Sequence, residues 1–255
     1  MTTTTLDTAT IQPLTHSEAM SCQAIELRRA LALLQSLDAS SWAAATDCPA
    51  WDVREMYQHV LGACESGASL RENIHQMRRA LGYRKRNGGP LEAALSAVQV
   101  RERAHLSPAQ IIGRLSAVAP RTVRGRTRTP ALIRENVRMP IDGPVHETWK
   151  LGYLIGTIYL RDLWMHRIDA SRATGRPLEL SSGHDGRIVA DIVAEWARRH
   201  RRPFTLQLTG AAGGTYATGL GQPGAQHLSL DAIEFCRTLA GRAPATGLLT
   251  TIVPF

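Results

Sequence analysis

The chain has 255 residues, 44% of them hydrophobic and 20% charged, and a net charge of +8. These values fit a globular protein with one large domain or two ordinary ones. No apolar run of about 18 residues is free of charge, so no transmembrane helix is expected. The opening MTTTTLDTATIQPLT has no basic region followed by an apolar core, which argues against a secretory signal and makes the cytoplasm the default compartment. Residues 1–14 read as a flexible leader.

The positive charge is almost entirely arginine, since Lys85 and Lys150 are the only lysines. Much of it clusters in two runs, Arg78 to Arg86 and Arg121 to Arg138. Such patches attract phosphate without reading sequence. No aromatic residue interleaves with the second run, and no helix-turn-helix or zinc-finger pattern is present, so the arginines suit an anionic small molecule better than nucleic acid. Cys22, Cys48, Cys64 and Cys236 lack C-x-x-C spacing and read as reduced, buried thiols. Cys64, five residues after His59, is the one weighed as a catalytic thiol, and the buried reading is preferred for it too.

In chain order, His16 to Leu37 carries Ala24, Leu27, Leu31 and Leu34 at helical spacing and predicts an amphipathic helix. Asp52 followed by Glu55 forms a capping box, with Trp51 placed to staple onto Met56. The helix so started runs from about Val53 to at least Ser69, and its inward face of Met56, Val60 and Ala63 takes His59 with it. RRALGYRKRNGGP reads as a loop, Leu91 to Leu106 as helix, and Pro108 as the start of another helix ending near Pro120. The segment from Pro120 to Pro144 reads as irregular, a wall or lid. Val145 to Arg172 reads as a long buried helix, closed by Gly175. Ser182 to Arg202 predicts a helix, Phe204 to Thr209 a strand, AAGGTYATGLG hairpin turns, Gln226 to Ser229 a strand, and Asp231 to Leu239 a helix. The change in composition near residue 178 sets the expected boundary: helical residues 15–177, then a small α+β region of 178–255.

Ile155, Tyr159, Asp162, His166 and Asp169 share one stripe of the long helix. A carboxylate and an imidazole one turn apart inside a bundle are costly unless paired, hydrogen-bonded or bound to metal. His59 from a neighbouring helix would make a third ligand, leaving a position for water or substrate as in catalytic zinc sites. Spacing alone is also satisfied by an Asp162 pair with Arg161 or Arg167 and a plain core histidine. Asp169 reads as a hydrogen-bond acceptor for a ligating histidine or as part of the helix end. There is no G-x-S-x-G elbow.

Three blocks, CPAWDVREMYQHVLGACESGA, RDLWMHRIDASRATG and DAIEFCRTLAGRAP with a terminal VPF, resemble the mycothiol-dependent maleylpyruvate isomerase family of the DinB-like superfamily. The resemblance covers roughly residues 15–255 except about 75–140. It implies an α+β protein, an N-terminal DinB-like four-helix bundle followed by a small sterol-carrier-like domain. It implies a divalent metal, zinc by default, on His59, Asp162 and His166. The family pattern has glutamate where Asp162 stands; aspartate is one methylene shorter, roughly 1.5 Å less reach, so closure would need a backbone shift or a bridging water. The resemblance further implies mycothiol as cofactor and Arg242 as a catalytic and cofactor-binding residue for the anionic thiol or substrate. Tyr159 is the second catalytic candidate, able to hydrogen-bond a ligand.

The expected function is therefore a metal- and mycothiol-dependent isomerase or S-transferase on a small electrophilic, acidic metabolite. A non-catalytic carrier on the same frame, and a bundle recruited to cyclisation or rearrangement, are the alternatives. The expected partners are the small substrate and the low-molecular-weight thiol, with a homodimer left open and no membrane.

Overall fold

The computed structural model describes residues 4–143, 145–219, 222 and 224–255. Its elements in chain order are strand β1 (Thr5–Asp7), helices α1 (His16–Gln35), α2 (Val53–Ala68), α3 (Leu70–Asn87), α4 (Leu91–Arg103), α5 (Pro108–Thr127) and α6 (Ala131–Asn136), and strands β2 (Arg138–Ile141) and β3 (Glu147–Lys150). There follow a single turn α7 (Leu151–Tyr153), a π-helical turn (Leu154–Ile158), α8 (Tyr159–Thr174), α9 (Asp185–His200), strands β4 (Phe204–Thr209), β5 (Gly214–Thr218) and β6 (Gln226–Asp231), and α10 (Ala232–Leu239). They form two compact units, one of Thr15–Leu178 and one joining the N-terminal residues to Glu179–Phe255. The fold is α+β, as expected. No helix among the described residues is long and apolar enough to cross a membrane.

In the helical unit, α1, α2, α5 and α8 share one apolar core, built from Leu27 and Leu34, Tyr57 and Leu61, Ile111 and Leu115, and Leu163 and Ala170. That is a four-helix bundle. Three of the four starts are chemically marked: Thr15 with Glu18, Asp52 with Glu55, and Ser107 with Gln110 all form reciprocal capping boxes. Gly175 ends α8 in the left-handed region, φ 65°, which only glycine enters without strain.

The stretch expected as a loop, RRALGYRKRNGGP, is instead the end of α3 up to Asn87, closed by Gly88. α3 packs with α4 as a helical pair whose attachment is largely polar. Gln76 donates to the Gly62 carbonyl (2.9 Å) and accepts from Gln99 (2.9 Å), while Arg103 spans Glu65 and Glu72. α5 does not stop at Pro120 but runs on to Thr127. Proline removes one helical hydrogen bond, and the buried Val118, Ala119, Thr122 and Arg126 on either side hold the helix on course. The segment expected to be irregular thus holds the end of α5, α6 and β2; Pro144 lies outside the described residues. β2 pairs antiparallel with β3, from Arg138 opposite Lys150 to Ile141 opposite Glu147. The long helix expected from Val145 is therefore strand, single turn and π-turn before α8 begins.

The second unit contains a four-stranded sheet in the order β1-β5-β4-β6. β4 and β5 are an antiparallel hairpin around the glycine-rich turn, and β6 runs parallel to β4. Of the expected hairpin sequence, Leu220 and Gly221 lie outside the described residues. Trp196 of α9 packs on Phe204 and Phe235 and donates to the Leu248 carbonyl (3.1 Å). The expected flexible leader is structured from residue 4 on, Met1 to Thr3 being outside the described residues. Thr5–Asp7 pairs parallel with Thr215–Ala217, and Asp191 accepts from the Leu14 amide (3.3 Å). A strand of three residues carries no signal that separates it from a tail; its partner supplies its order.

Candidate metal centre

The site is assembled from α2, its leading loop and α8. Asp52 accepts from the Glu55 amide (2.8 Å) and Glu55 accepts from the Asp52 amide (3.1 Å), which fixes where α2 starts. Thr46 donates to the Trp51 carbonyl (2.7 Å) and holds the loop before it. Two turns into α2, His59 then faces inward, and Trp51 stacks on it with ring centroids 4.9 Å apart and planes 25° from parallel. Trp51 had been expected to staple onto Met56; its indole forms one wall of the site. On α8, Asp162 lies in the first turn and His166 one turn later. The buried pair of Arg167 with Glu26 of α1 (2.7 Å) fixes the rotation of α8.

His59, Asp162 and His166 converge, with one donor atom from each within 4.8 Å of the others. His59 Nε2 is 3.6 Å from Asp162 Oδ2, and His166 Nε2 is 3.1 Å from Asp162 Oδ1. Donor atoms held tetrahedrally at zinc bond lengths lie roughly 3.3 Å apart, so both separations suit a shared ion. The shortened carboxylate reaches both imidazoles. Neither His166 nitrogen has a hydrogen-bond partner of good geometry among the described residues, despite the short approach to Asp162. Ligands whose lone pairs aim at a common point, rather than at one another, leave this pattern. Asp169 Oδ2 lies 3.5 Å from His166 Nδ1, on the side away from the cluster, where an orienting carboxylate belongs. Cys48 completes a second group with His166 and Asp169, its Sγ 3.8 Å from Asp169 Oδ2.

Burial opposes ionisation of Asp162 and His166, yet each holds the other charged. The His166 charge keeps Asp162 well below the usual carboxylate range, and Asp162 keeps His166 well above the usual imidazole range. The cluster calls for a cation. A proton on His166 supplies one, and a divalent metal drawn to the same atoms would displace that proton. The Asp162 side chain is 26% exposed while His166 is 5%, so the cluster opens at the carboxylate. The residues present fit a divalent metal.

Tyr159 stands one turn before Asp162 on the same helix. Its ring lies under Arg126, Cζ 4.3 Å from the centroid. Burial raises its hydroxyl pKa, with Arg126 opposing and Asp162 adding to the rise. Arg242 belongs to the other unit, after α10, where its Nη1 donates to the Ala240 carbonyl (3.4 Å). Cys64 is fully buried, which pushes its thiol up to about 11, the environment of a structural rather than a nucleophilic cysteine. A separate open cavity of about 550 Å³, lined by Glu65, Glu72, His75 and Glu102 among others, includes none of the cluster donors. Its carboxylates already pair with Arg103, Arg114 or His75, so it offers no comparable donor set.

Residues 24–171 match the family model of the mycothiol maleylpyruvate isomerase N-terminal domain. The chain belongs to that family. The matched stretch contains all three cluster residues. Two solved structures share the fold: the mycothiol-dependent maleylpyruvate isomerase, and a mutant of it with one histidine replaced by alanine. Each is 13% identical with a TM-score of 0.58, over 90% of this chain and 90% of its own. No curated protein matches in sequence. Within this family fold, Trp51, Cys48 and Arg126 are the site neighbours that sequence reasoning missed. Trp51 could have been found as the N-terminal neighbour of a capping box two turns before His59. Cys48 and Arg126 carry no local signal.

Proposed function

We propose that this chain is a mycothiol-dependent isomerase acting on a small electrophilic carboxylic acid, with His59, Asp162 and His166 as ligands of a divalent metal. The observation that carries this reading is the convergence of the three donors, beside an opening at Asp162. A metal held there supplies the positive charge that keeps a thiol ionised at neutral pH. Zinc suits two imidazoles and a carboxylate, and nickel, iron and manganese accept the same donor types.

The chain's own residues do the rest. Asp169, 3.5 Å from His166 Nδ1, is assigned the role of orienting the ring with Nε2 toward Asp162. Trp51 covers one face of His59 and keeps water off it. Tyr159 is assigned a hydrogen bond to the reactant, and Arg242 the neutralisation of an anionic group on thiol or substrate. The thiolate adds to an electrophilic alkene carbon, forming a C–S bond while the π pair moves onto the conjugated carbonyl as an enolate. Rotation about the resulting single bond, return of that pair and expulsion of the same thiolate give the isomer, whereas protonation of the enolate and release of the adduct would give transfer.

Metal analysis of protein purified without a histidine tag tests the centre. Close to one metal per chain is expected, lost in both His59→Ala and His166→Ala, together with thiol-dependent isomerisation of maleylpyruvate by the wild type. Metal-free wild-type protein, or a His59→Ala variant with undiminished metal, would overturn the assignment. Ligand binding without turnover by the metal-loaded protein would replace the enzyme with a carrier.

A further inference from the structure

Arg126 of α5 is 4% exposed, and among the described residues no carboxylate lies within 4.0 Å of its guanidinium. Of the other buried arginines, Arg103, Arg167 and Arg237 each meet a glutamate. A buried cation with no counter-ion is among the most costly arrangements in a folded protein. Its partners here are neutral. Nη1 donates to Gln23 Oε1 (2.8 Å), Nη2 donates to the Ala63 carbonyl (3.3 Å), and Nε is buried with no partner.

The anchors place this cation beside the three-donor cluster. Ala63 lies one turn beyond His59 on α2, and Tyr159, whose ring carries the guanidinium, lies one turn before Asp162 on α8. Gln23 is itself fixed, since its Nε2 donates to the Ile155 carbonyl in the π-turn (2.6 Å). At Gly67 a β-carbon would come within 3.0 Å of Nε, so glycine there lets the guanidinium lie against α2. The cation is thus held by contacts from three helices, and two of its anchors stand one turn along α2 and α8 from the donor residues. One helical turn, about 5.4 Å, is also about the length of a small dicarboxylic acid.

We propose that Arg126 is the carboxylate-binding residue of the site, its guanidinium taking one carboxylate of a small dicarboxylic or oxo-acid reactant whose other end reaches the His59–Asp162–His166 cluster. Arginine suits the task because its planar fork meets both oxygens of a carboxylate, and it stays charged at every working pH. This assignment rests on the proposed isomerase reading and adds the residue that takes a carboxylate of its substrate.

Titration calorimetry of the protein as isolated, with maleate as a four-carbon dicarboxylate probe, tests it. Maleate is expected to bind the wild type and its uncharged dimethyl ester is not. Arg126→Lys should weaken maleate at least about tenfold, the loss of one charge-assisted hydrogen bond, with metal content unchanged. Gln23→Glu, which gives Arg126 an internal counter-ion, should weaken it as well. Wild-type protein that ignores maleate, or an Arg126→Lys variant that binds it within about twofold of wild type, overturns the proposal. Should the variants fail to fold, a wild-type crystal soaked in maleate decides: a carboxylate on Arg126 is expected, and maleate lodged elsewhere refutes it. If the protein holds no metal while maleate binding still depends on Arg126, the isomerase reading fails and this assignment stands. If metal and thiol-dependent turnover are as proposed while Arg126→Lys changes nothing, this assignment alone fails.

Discussion

Two glycines on α5 should respond to alanine with opposite signs. A β-carbon built on Gly125 falls 2.3 Å from the Gly67 carbonyl oxygen of α2, whereas one built on Gly113 meets no atom within 4 Å. Carbon–oxygen contacts rarely close below about 3.3 Å, so Gly125→Ala must push α5 and α2 apart by about 1 Å. Alanine gains up to ~1 kcal/mol over glycine inside a helix, and overpacking costs ~1–3 kcal/mol. Gly113→Ala keeps the gain alone. For a chain of this size each kcal/mol moves Tm by about 2–4 °C. Differential scanning calorimetry should therefore show Gly113→Ala a few degrees above wild type and Gly125→Ala several degrees below. Gly125→Ala should also loosen the hold of α2 on Arg126, next along the helix. If both variants raise Tm alike, the close approach of α2 and α5 is not a constraint and the reasoning fails.

Two more expectations concern charge. Glu26→Gln leaves Arg167 buried beside a neutral partner and should cost about 3–5 kcal/mol, read as a lower urea midpoint. Replacing both partners together, as Glu26→Leu with Arg167→Met, should recover most of the loss; no recovery would mean that the ion pair adds stability beyond its geometry. His200 packs on Trp196 and Phe204, and burial, with Arg202 beside it, lowers its pKa to about 4. The unfolded chain, near 6.5, binds the proton first, so this contribution is complete above pH 6.5 and is lost as pH falls toward 4. His200→Phe should flatten part of the acid-side decline in the urea midpoint; an unchanged slope would remove His200 as its source.

Where a signal is local, the sequence showed it. The capping box at Asp52, the glycine after α8 and the alternation of Phe204 to Thr209 each act within a few residues, and each stands where it was expected. α3 was hidden because Gln76 ties it to α2 through the Gly62 carbonyl and its apolar contact with α4 is small, Ala80 and Tyr83 against Ala94 and Val98, while hydrophobic periodicity registers only extended apolar faces. The reach of α5 past Pro120 was hidden for the opposite reason, since packing outweighed a local breaker. Before Tyr159 the chain is apolar on nearly every side, and such a run does not distinguish strand, π-turn and helix. Asp162 and His166 were legible as a pair one turn apart, and His59 as an inward-facing neighbour. Trp51 over His59, and Arg126 without a carboxylate, arise only when distant segments meet.

The pairing of Thr5–Asp7 with Thr215–Ala217 joins strands from either side of the helical unit in one sheet, with the whole bundle spliced between them. On the ribosome, β1 must wait for this partner until the chain through Ala217, beyond the whole bundle, has emerged. The bundle can close its core during that interval because its own contacts are complete by Leu178. Its maturation is then independent of the sheet, whereas the sheet is finished only by a long-range closure of the kind that slows folding. Synthesis order thus gives the donor cluster a head start over the unit that carries Arg242.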